Sequence, residues 1–78
     1  MYYVYILKLK DKSFYTGSTN NLKRRLKDHN NSECEATKNK IPAKLIWSGI
    51  FESKQLAIDF ERYLKSASGI AFRNKRLI

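Results

Sequence analysis

The segment Tyr2-Tyr3-Val4-Tyr5-Ile6-Leu7-Lys8-Leu9 constrains this chain most: it is β-branched and aromatic enough for a buried strand, and a partner strand follows at once. Lys10-Asp11-Lys12-Ser13 is polar and turn-like, and Phe14-Tyr15-Thr16-Gly17 supplies a short return strand that ends at the glycine. Together they predict a hairpin whose register has a chemical consequence. A three-residue loop centred on Asp11 puts Tyr5 and Tyr15 on the same sheet face, whereas a two-residue turn puts them on opposite faces. No Asn-Gly or Asp-Gly pair is present to force the tighter turn.

Beyond the hairpin the period changes. Ser18-Thr19-Asn20-Asn21 offers several helix N-caps, and a helix from about Asn21 to Asn30 follows. Leu22 and Leu26 form its narrow apolar stripe, and Arg25 and His29 border that stripe at helical spacing. Asn30 to Lys40 is polar and reads as a loop. After Pro42, AKLIWSGIF predicts a third strand with Trp47 as a core anchor. Ser53 caps a second helix, on which Leu56, Ala57, Phe60, Tyr63, Leu64 and Ala67 recur at helical spacing until Ser68-Gly69 stops it. Residues 70–77 predict a last short helix with Phe72 and Leu77 inward. The expected fold is α/β in the α+β sense: a small three-stranded, mainly antiparallel sheet flanked by helices, in the order β-β-α-β-α-α. It has no parallel Rossmann unit.

Composition narrows what such a fold can do. The 78 residues make one expected domain, 1–78, which buries only about 60 % of the surface its unfolded chain exposes. A hydrophobic content of 42 % is enough for a packed core and argues against disorder. A single cysteine, Cys34, excludes an internal disulfide, and one histidine leaves no tetrahedral zinc set. The chain therefore reads as built for a reducing, cytoplasmic setting. No apolar run approaches transmembrane length, and the aromatic opening, ending in lysines, reads as a strand and not a signal peptide. Sixteen Lys plus Arg against seven Asp plus Glu leave a net charge of +9, a field that favours a polyanion. Nucleic acid is the expected partner, DNA ahead of RNA, and a membrane is not.

Most chemical motifs are missing: no phosphate-binding glycine loop, no Cys or Ser paired with a base, no two-histidine metal motif. Asp59 and Glu61 are two apart on one helix and point to different faces. What remains is Tyr5 and Tyr15 on neighbouring strands, Arg25 and His29 one turn apart, and Glu61 bordering the packed face of the second helix. Each alone has an ordinary explanation. Strand tyrosines mostly pack a core, an arginine in a basic run is usually solvated, a lone histidine is usually structural, and Glu61 can pair with Lys65.

The set together resembles a family. Tyr3-Val4-Tyr5 and Tyr15-Thr16-Gly17 are similar to the paired tripeptides that name the GIY-YIG nucleases. NNLKRRLKDHN resembles that family's first helix, with Arg25 and His29 in place, and DFERYLKS resembles the second, with Glu61 as its glutamate. EATKNKIPAKLIW and Gly69, followed by the basic tail Phe72-Arg73-Asn74-Lys75-Arg76-Leu77, look like the small stand-alone branch related to the UvrC amino-terminal domain. The likeness covers nearly the whole chain. Departures are the lost Gly and Ile of the first tripeptide, Ala36 where related proteins often carry Ser or Tyr, and Asp59-Phe60 in place of a more basic stretch.

The resemblance implies a metal-dependent endonuclease whose products carry a 5′-phosphate and a 3′-hydroxyl. It implies one divalent ion, Mg²⁺ or Mn²⁺, on Glu61; Tyr5 as general base for water; Tyr15 orienting water or phosphate; Arg25 on the scissile phosphate; and His29 as a proton acceptor near the tyrosines. Gly17 and Asn74 are expected in support. Lys23, Lys27, Lys38, Lys40, Lys75 and Arg76 offer phosphate contacts, which give affinity without sequence information. The alternative is a binding module that keeps the fold and the basic face without turnover. Retention of all five site residues argues against such decay, and more strongly against a merely structural protein.

Overall fold

The computed structural model describes residues 1–35 and 37–78; Ala36, the departure noted in the loop, lies outside the described residues. Strands β1 (Tyr2–Lys8), β2 (Phe14–Thr19) and β3 (Lys44–Phe51) form one sheet in the order β2-β1-β3, antiparallel throughout. Helix α1 (Leu22–Asn30) follows the hairpin. Helices α2 (Lys54–Leu64) and α3 (Ala67–Phe72) follow β3, and α3 runs on into a π-helical turn, Arg73–Leu77. The expected order β-β-α-β-α-α holds. No helix of the described residues is long and apolar enough to cross a membrane.

The hairpin closes as the same-face register requires. The Leu9 amide donates to the Ser13 carbonyl at 2.9 Å, so the loop is Lys10-Asp11-Lys12, centred on Asp11. Lys12 takes the left-handed conformation such loops need, at φ 73°. The Asp11 carboxylate accepts from the Ser13 hydroxyl and from the Ser13 amide, the latter at 3.0 Å; the two bonds fasten the turn and lower the carboxylate's pKa, the hydroxyl most. β2 does not stop at Gly17. Gly17 pairs with Tyr5 inside the ladder, and the strand continues to Thr19.

Because β1 is central, its alternation builds two different faces. Val4 and Ile6 point one way and bury completely with Ala57 and Leu64 of α2; Trp47, Phe51 and Phe60 pack around them. Trp47 is half-buried there, its ring 6.0 Å from that of Phe60. Tyr5, Leu7 and Leu9 point the other way, covered by Leu22 and Leu26 of α1 together with Leu45. A β-bulge at Ile46 shifts the β1–β3 register between Ile6 and Leu7. The bulge lets Leu45 pack with Leu7 while Ile46 and Trp47 serve the opposite core.

The second helix ends earlier than its apolar spacing predicts. α2 stops at Leu64, because Ser66 takes over the chain: its hydroxyl donates to the Tyr63 carbonyl at 2.6 Å and accepts from the Gly69 amide at 3.1 Å. α3 starts there, so close to α2 that a Cβ on Gly69 would lie 1.6 Å from the Tyr63 carbonyl oxygen. Only glycine fits. Leu77 packs on the core as expected, but Phe72 does not turn inward: it is 37 % exposed and stacks against Tyr63.

Candidate active site

Two elements carry most of the site on the α1 side of the sheet. The hairpin sets Tyr5 opposite Gly17 and Leu7 opposite Tyr15, which leaves the two phenol rings neighbours at 6.3 Å between centroids. Gly17 makes this possible: a Cβ there would sit 2.5 Å from the Tyr5 hydroxyl oxygen. Asn21 caps α1 by accepting from the Arg24 amide at 3.1 Å, fixing the rotation of the helix over the sheet. Arg25 and His29, one turn apart, then face the phenols.

His29 does more than border the apolar stripe. It is fully buried, its ring 5.7 Å from that of Tyr5 and 5.0 Å from that of Tyr15. Nε2 is 2.9 Å from the Tyr5 hydroxyl, and Nδ1 is 2.7 Å from the hydroxyl of Thr37, also fully buried. Burial and the charge of Arg25 push the imidazole pKa down, so the ring is held neutral.

Arg25 stands beside the Tyr5 hydroxyl, which raises the pKa of the guanidinium. Its Nε is buried with no acceptor among the described residues. The same side chain lines a polar cavity of about 170 Å³ with Thr19, Asn21 and Asp28 at the start of α1. A guanidinium on the wall of an open polar cavity is suited to an anionic oxygen.

Burial dominates the phenols. It pushes Tyr5 up to about 12, although Arg25 pulls the other way. Tyr15 is also raised, first by burial, with Glu61 adding to it and Lys65 and Arg25 opposing. Tyr5 is therefore a strong but rarely ionised base at neutral pH.

Glu61 does not share a face with these four. It comes from α2, across the sheet, and reaches the edge strand: one carboxylate oxygen accepts from Ser18 Oγ at 2.6 Å, the other from Lys65 Nζ at 2.7 Å. It stands near enough to Tyr15 to influence its ionisation. The five residues thus converge on β2 from both sides of the sheet. Among the described residues no three His, Cys, Asp or Glu cluster as a metal cage, so Glu61 is a lone carboxylate.

Lys23, Lys27, Lys38, Lys40, Lys75 and Arg76 are all exposed. Lys38 lies 3.1 Å from Glu35 and Lys40 lies 3.4 Å from Asp11, which leaves less of their charge for a ligand. Asn74 is exposed. Its side-chain oxygen accepts from Arg73 Nε at 3.1 Å and from Nη2 at 3.0 Å, holding a guanidinium that lies 4.9 Å over the Phe14 ring. Arg73, Lys65 and Tyr15 line a groove of about 270 Å³ along β2.

Sequence reasoning missed Thr37, Ser18 and Arg73, and read Lys65 only as a partner for Glu61. Ser18 looked like a helix cap, and Arg73 was one base in a basic tail. Thr37, in a polar loop, carried no signal at all; only tertiary packing brings it to His29.

Comparison with known proteins identifies the family and agrees with the fold. Residues 1–75 match the GIY-YIG catalytic domain. A UPF0213 protein of Clostridium perfringens is 48 % identical over 99 % of this chain and 80 % of its own length. A UPF0213 protein of Limosilactobacillus reuteri is 45 % identical over 82 % of this chain and 70 % of its own. The solution structure of a UPF0213 protein from Bacillus halodurans superposes with a TM-score of 0.60 at 33 % identity, covering 99 % of this chain and 87 % of that one. The chain belongs to the GIY-YIG family of nuclease domains, in its small stand-alone UPF0213 branch.

Proposed function

We propose that this protein is a metal-dependent endonuclease that hydrolyses nucleic-acid phosphodiester bonds, DNA before RNA, with Tyr5 as general base. The observation that carries the reading is the convergence of Tyr5, Tyr15, Arg25 and His29 on one face of the hairpin, with Glu61 at the edge of the same strand. A phosphodiester offers one chemistry for this set. The Arg25 guanidinium, on the wall of the polar cavity, donates to a phosphate oxygen as negative charge builds on it. Tyr15 orients water or phosphate through its hydroxyl. Tyr5 takes a proton from water as the water oxygen bonds to phosphorus and the bond to the 3′-oxygen breaks. The leaving oxygen takes a proton from solvent water, giving a 3′-hydroxyl and a 5′-phosphate.

A single hard carboxylate, one-fifth exposed and already hydrogen-bonded, suits an ion that keeps most of its own waters, as Mg²⁺ does and Mn²⁺ can. Glu61 would hold it, and when bound it would supply positive charge against the phosphate and toward an ionised phenol. Lys65 occupies one of the Glu61 oxygens, so metal affinity without substrate is expected to be weak. The exposed Lys23, Lys27, Lys75 and Arg76 supply salt-sensitive backbone contacts.

The second reading, a binding module without turnover, draws on the Tyr5 pKa of about 12 and on the Glu61–Lys65 pair. One assay separates the two. Wild type and Glu61→Ala are incubated with mixed DNA and RNA, with and without Mg²⁺ or Mn²⁺. Metal-dependent nicking that disappears in the variant supports the nuclease. Equal, salt-sensitive binding without cleavage by either protein supports the module.

A further inference from the structure

We infer that Thr37 is a positioning residue that makes His29 a hydrogen-bond donor to Tyr5, so that the buried chain Thr37–His29–Tyr5 is complementary to the ionised phenol. The idea deepens the reading of Tyr5 as the base and rests on it for its kinetic consequence. It rests on geometry alone for the state of the imidazole.

The protons of the buried set can be counted. Thr37 Oγ1, both ring nitrogens of His29 and the Tyr5 hydroxyl lie in line, with contacts of 2.7 and 2.9 Å, and all three residues are at most 1 % exposed. A neutral imidazole carries one N–H and each hydroxyl one O–H. With Tyr5 neutral, three protons serve two contacts, and one is left over. With Tyr5 ionised, two protons serve two contacts. Thr37 donates to Nδ1, and Nε2–H donates to the phenolate oxygen. No polar group of the chain is then unmatched.

With Tyr5 ionised, the opposite tautomer fails at both ends, because the Nε2 lone pair would face the phenolate oxygen. With Tyr5 neutral, as it is near pH 7, the phenol can donate to Nε2 and the failure lies at one end: Nδ1–H would donate to Thr37, and the Thr37 proton would be left over. Among the described residues its hydroxyl has no partner but His29, while its amide donates to the Cys34 carbonyl and its carbonyl accepts from the Lys40 amide. A buried donor left unmatched costs more than its hydrogen bond would have contributed. At the other end a surplus proton sits on Tyr5, over Gly17 and beside Arg25, where a substrate oxygen can take it.

The groups facing the imidazole keep it neutral. Arg25 and Asp28 approach from α1, Tyr5 from β1 and Tyr15 from β2, with Cys34 nearby in the loop; burial and Arg25 outweigh Asp28. In this scheme His29 is not a proton acceptor. It is an N–H donor whose direction is set by a threonine far from the reacting atoms.

His29 is the sole histidine of the sequence, so ¹⁵N-histidine NMR reads its tautomer without ambiguity. Near neutral pH, wild type and Thr37→Ser are expected to hold the proton on Nε2, and Thr37→Val to lose that preference. A wild-type ring protonated on Nδ1 overturns the proposal whether or not the protein cleaves anything. In cleavage assays with Mg²⁺, Thr37→Val should move the ascending limb of the pH–rate profile up by about one unit, a loss of about tenfold on that limb. Thr37→Ser should restore it. An unmoved profile in a folded Thr37→Val protein rejects the kinetic role. If that variant does not fold, wild-type and Thr37→Ser spectra still decide the tautomer. Absence of any cleavage by wild type counts against the nuclease reading, while the ring measurement stands independently.

Discussion

The two faces of the central strand differ in kind. Toward α2, Val4 and Ile6 bury against Ala57 and Leu64 in an all-apolar cluster ringed by Trp47, Phe51 and Phe60. Toward α1, the alternate residues bury Tyr5 among Leu7, Leu22 and Leu26, and with it the polar side chains of His29 and Thr37. One side is held by transfer of apolar area from water. The other adds to its leucines a buried hydrogen-bonded set, Tyr5, His29 and Thr37, where an unmatched polar group costs more than a matched one contributes. A period-2 strand thus lets a very small domain keep its stabilising core and its reactive groups back to back. The separation is not complete: Glu61 belongs to the apolar side's helix, bonds Ser18 on the edge strand, and stands close enough to Tyr15 to influence its ionisation.

The sharpest way to break this comparison is Tyr5→Phe. It keeps the ring and its packing but removes the hydroxyl, so cleavage should fall by about 10²–10⁴-fold while the far-ultraviolet circular dichroism spectrum stays unchanged. A small effect would transfer the base role to Tyr15. The mirror experiment is Ile6→Ala on the other face, where the side chain is fully buried. Unfolding should become easier by about 2–5 kcal/mol in urea titrations, with cleavage by the folded fraction little altered. Loss of activity without loss of stability would mean that the faces are not separable.

Titration sharpens it further. In the unfolded chain a tyrosine ionises near pH 10, whereas Tyr5 in the fold is held protonated up to about 12. The raised native pKa contributes stability that is whole below about pH 10 and is lost as pH rises toward 12. The loss is on the order of 2–3 kcal/mol, measurable by chemical unfolding across that range and absent in Tyr5→Phe. His29 acts in the opposite direction. Its pKa is depressed, so the unfolded chain takes up a proton first as pH falls below about 6.5, and stability declines on the acid side. The apolar face has no such term. The smallest effect is expected outside both faces: Lys75→Ala, in the exposed terminal turn, should reduce the slope of log affinity against log salt by about one without changing substrate preference.

Much of this was legible from sequence, for local reasons. The hairpin register follows from loop length and alternation, and it alone puts both phenols on one face. Asn21 and Ser53 cap as their residue types prescribe, and Arg25 and His29 share a helix face by spacing. The errors arose where chain segments meet. Apolar spacing carried the second helix past Leu64, because nothing in a periodicity reveals that Ser66 will bond in both directions and restart the chain.

The sequence by itself determined the strand and helix order, the family, and which residue types stand on β1, β2 and α1, since these depend on neighbours within a few positions. Tertiary structure alone decided how deeply His29 is buried, that Thr37 closes on it, that Glu61 arrives at the strand's edge paired with Ser18 and Lys65, and that burial lifts Tyr5 to about 12. Those are properties of desolvation and of contacts between distant segments. They appear only when the chain has excluded water from the space between them.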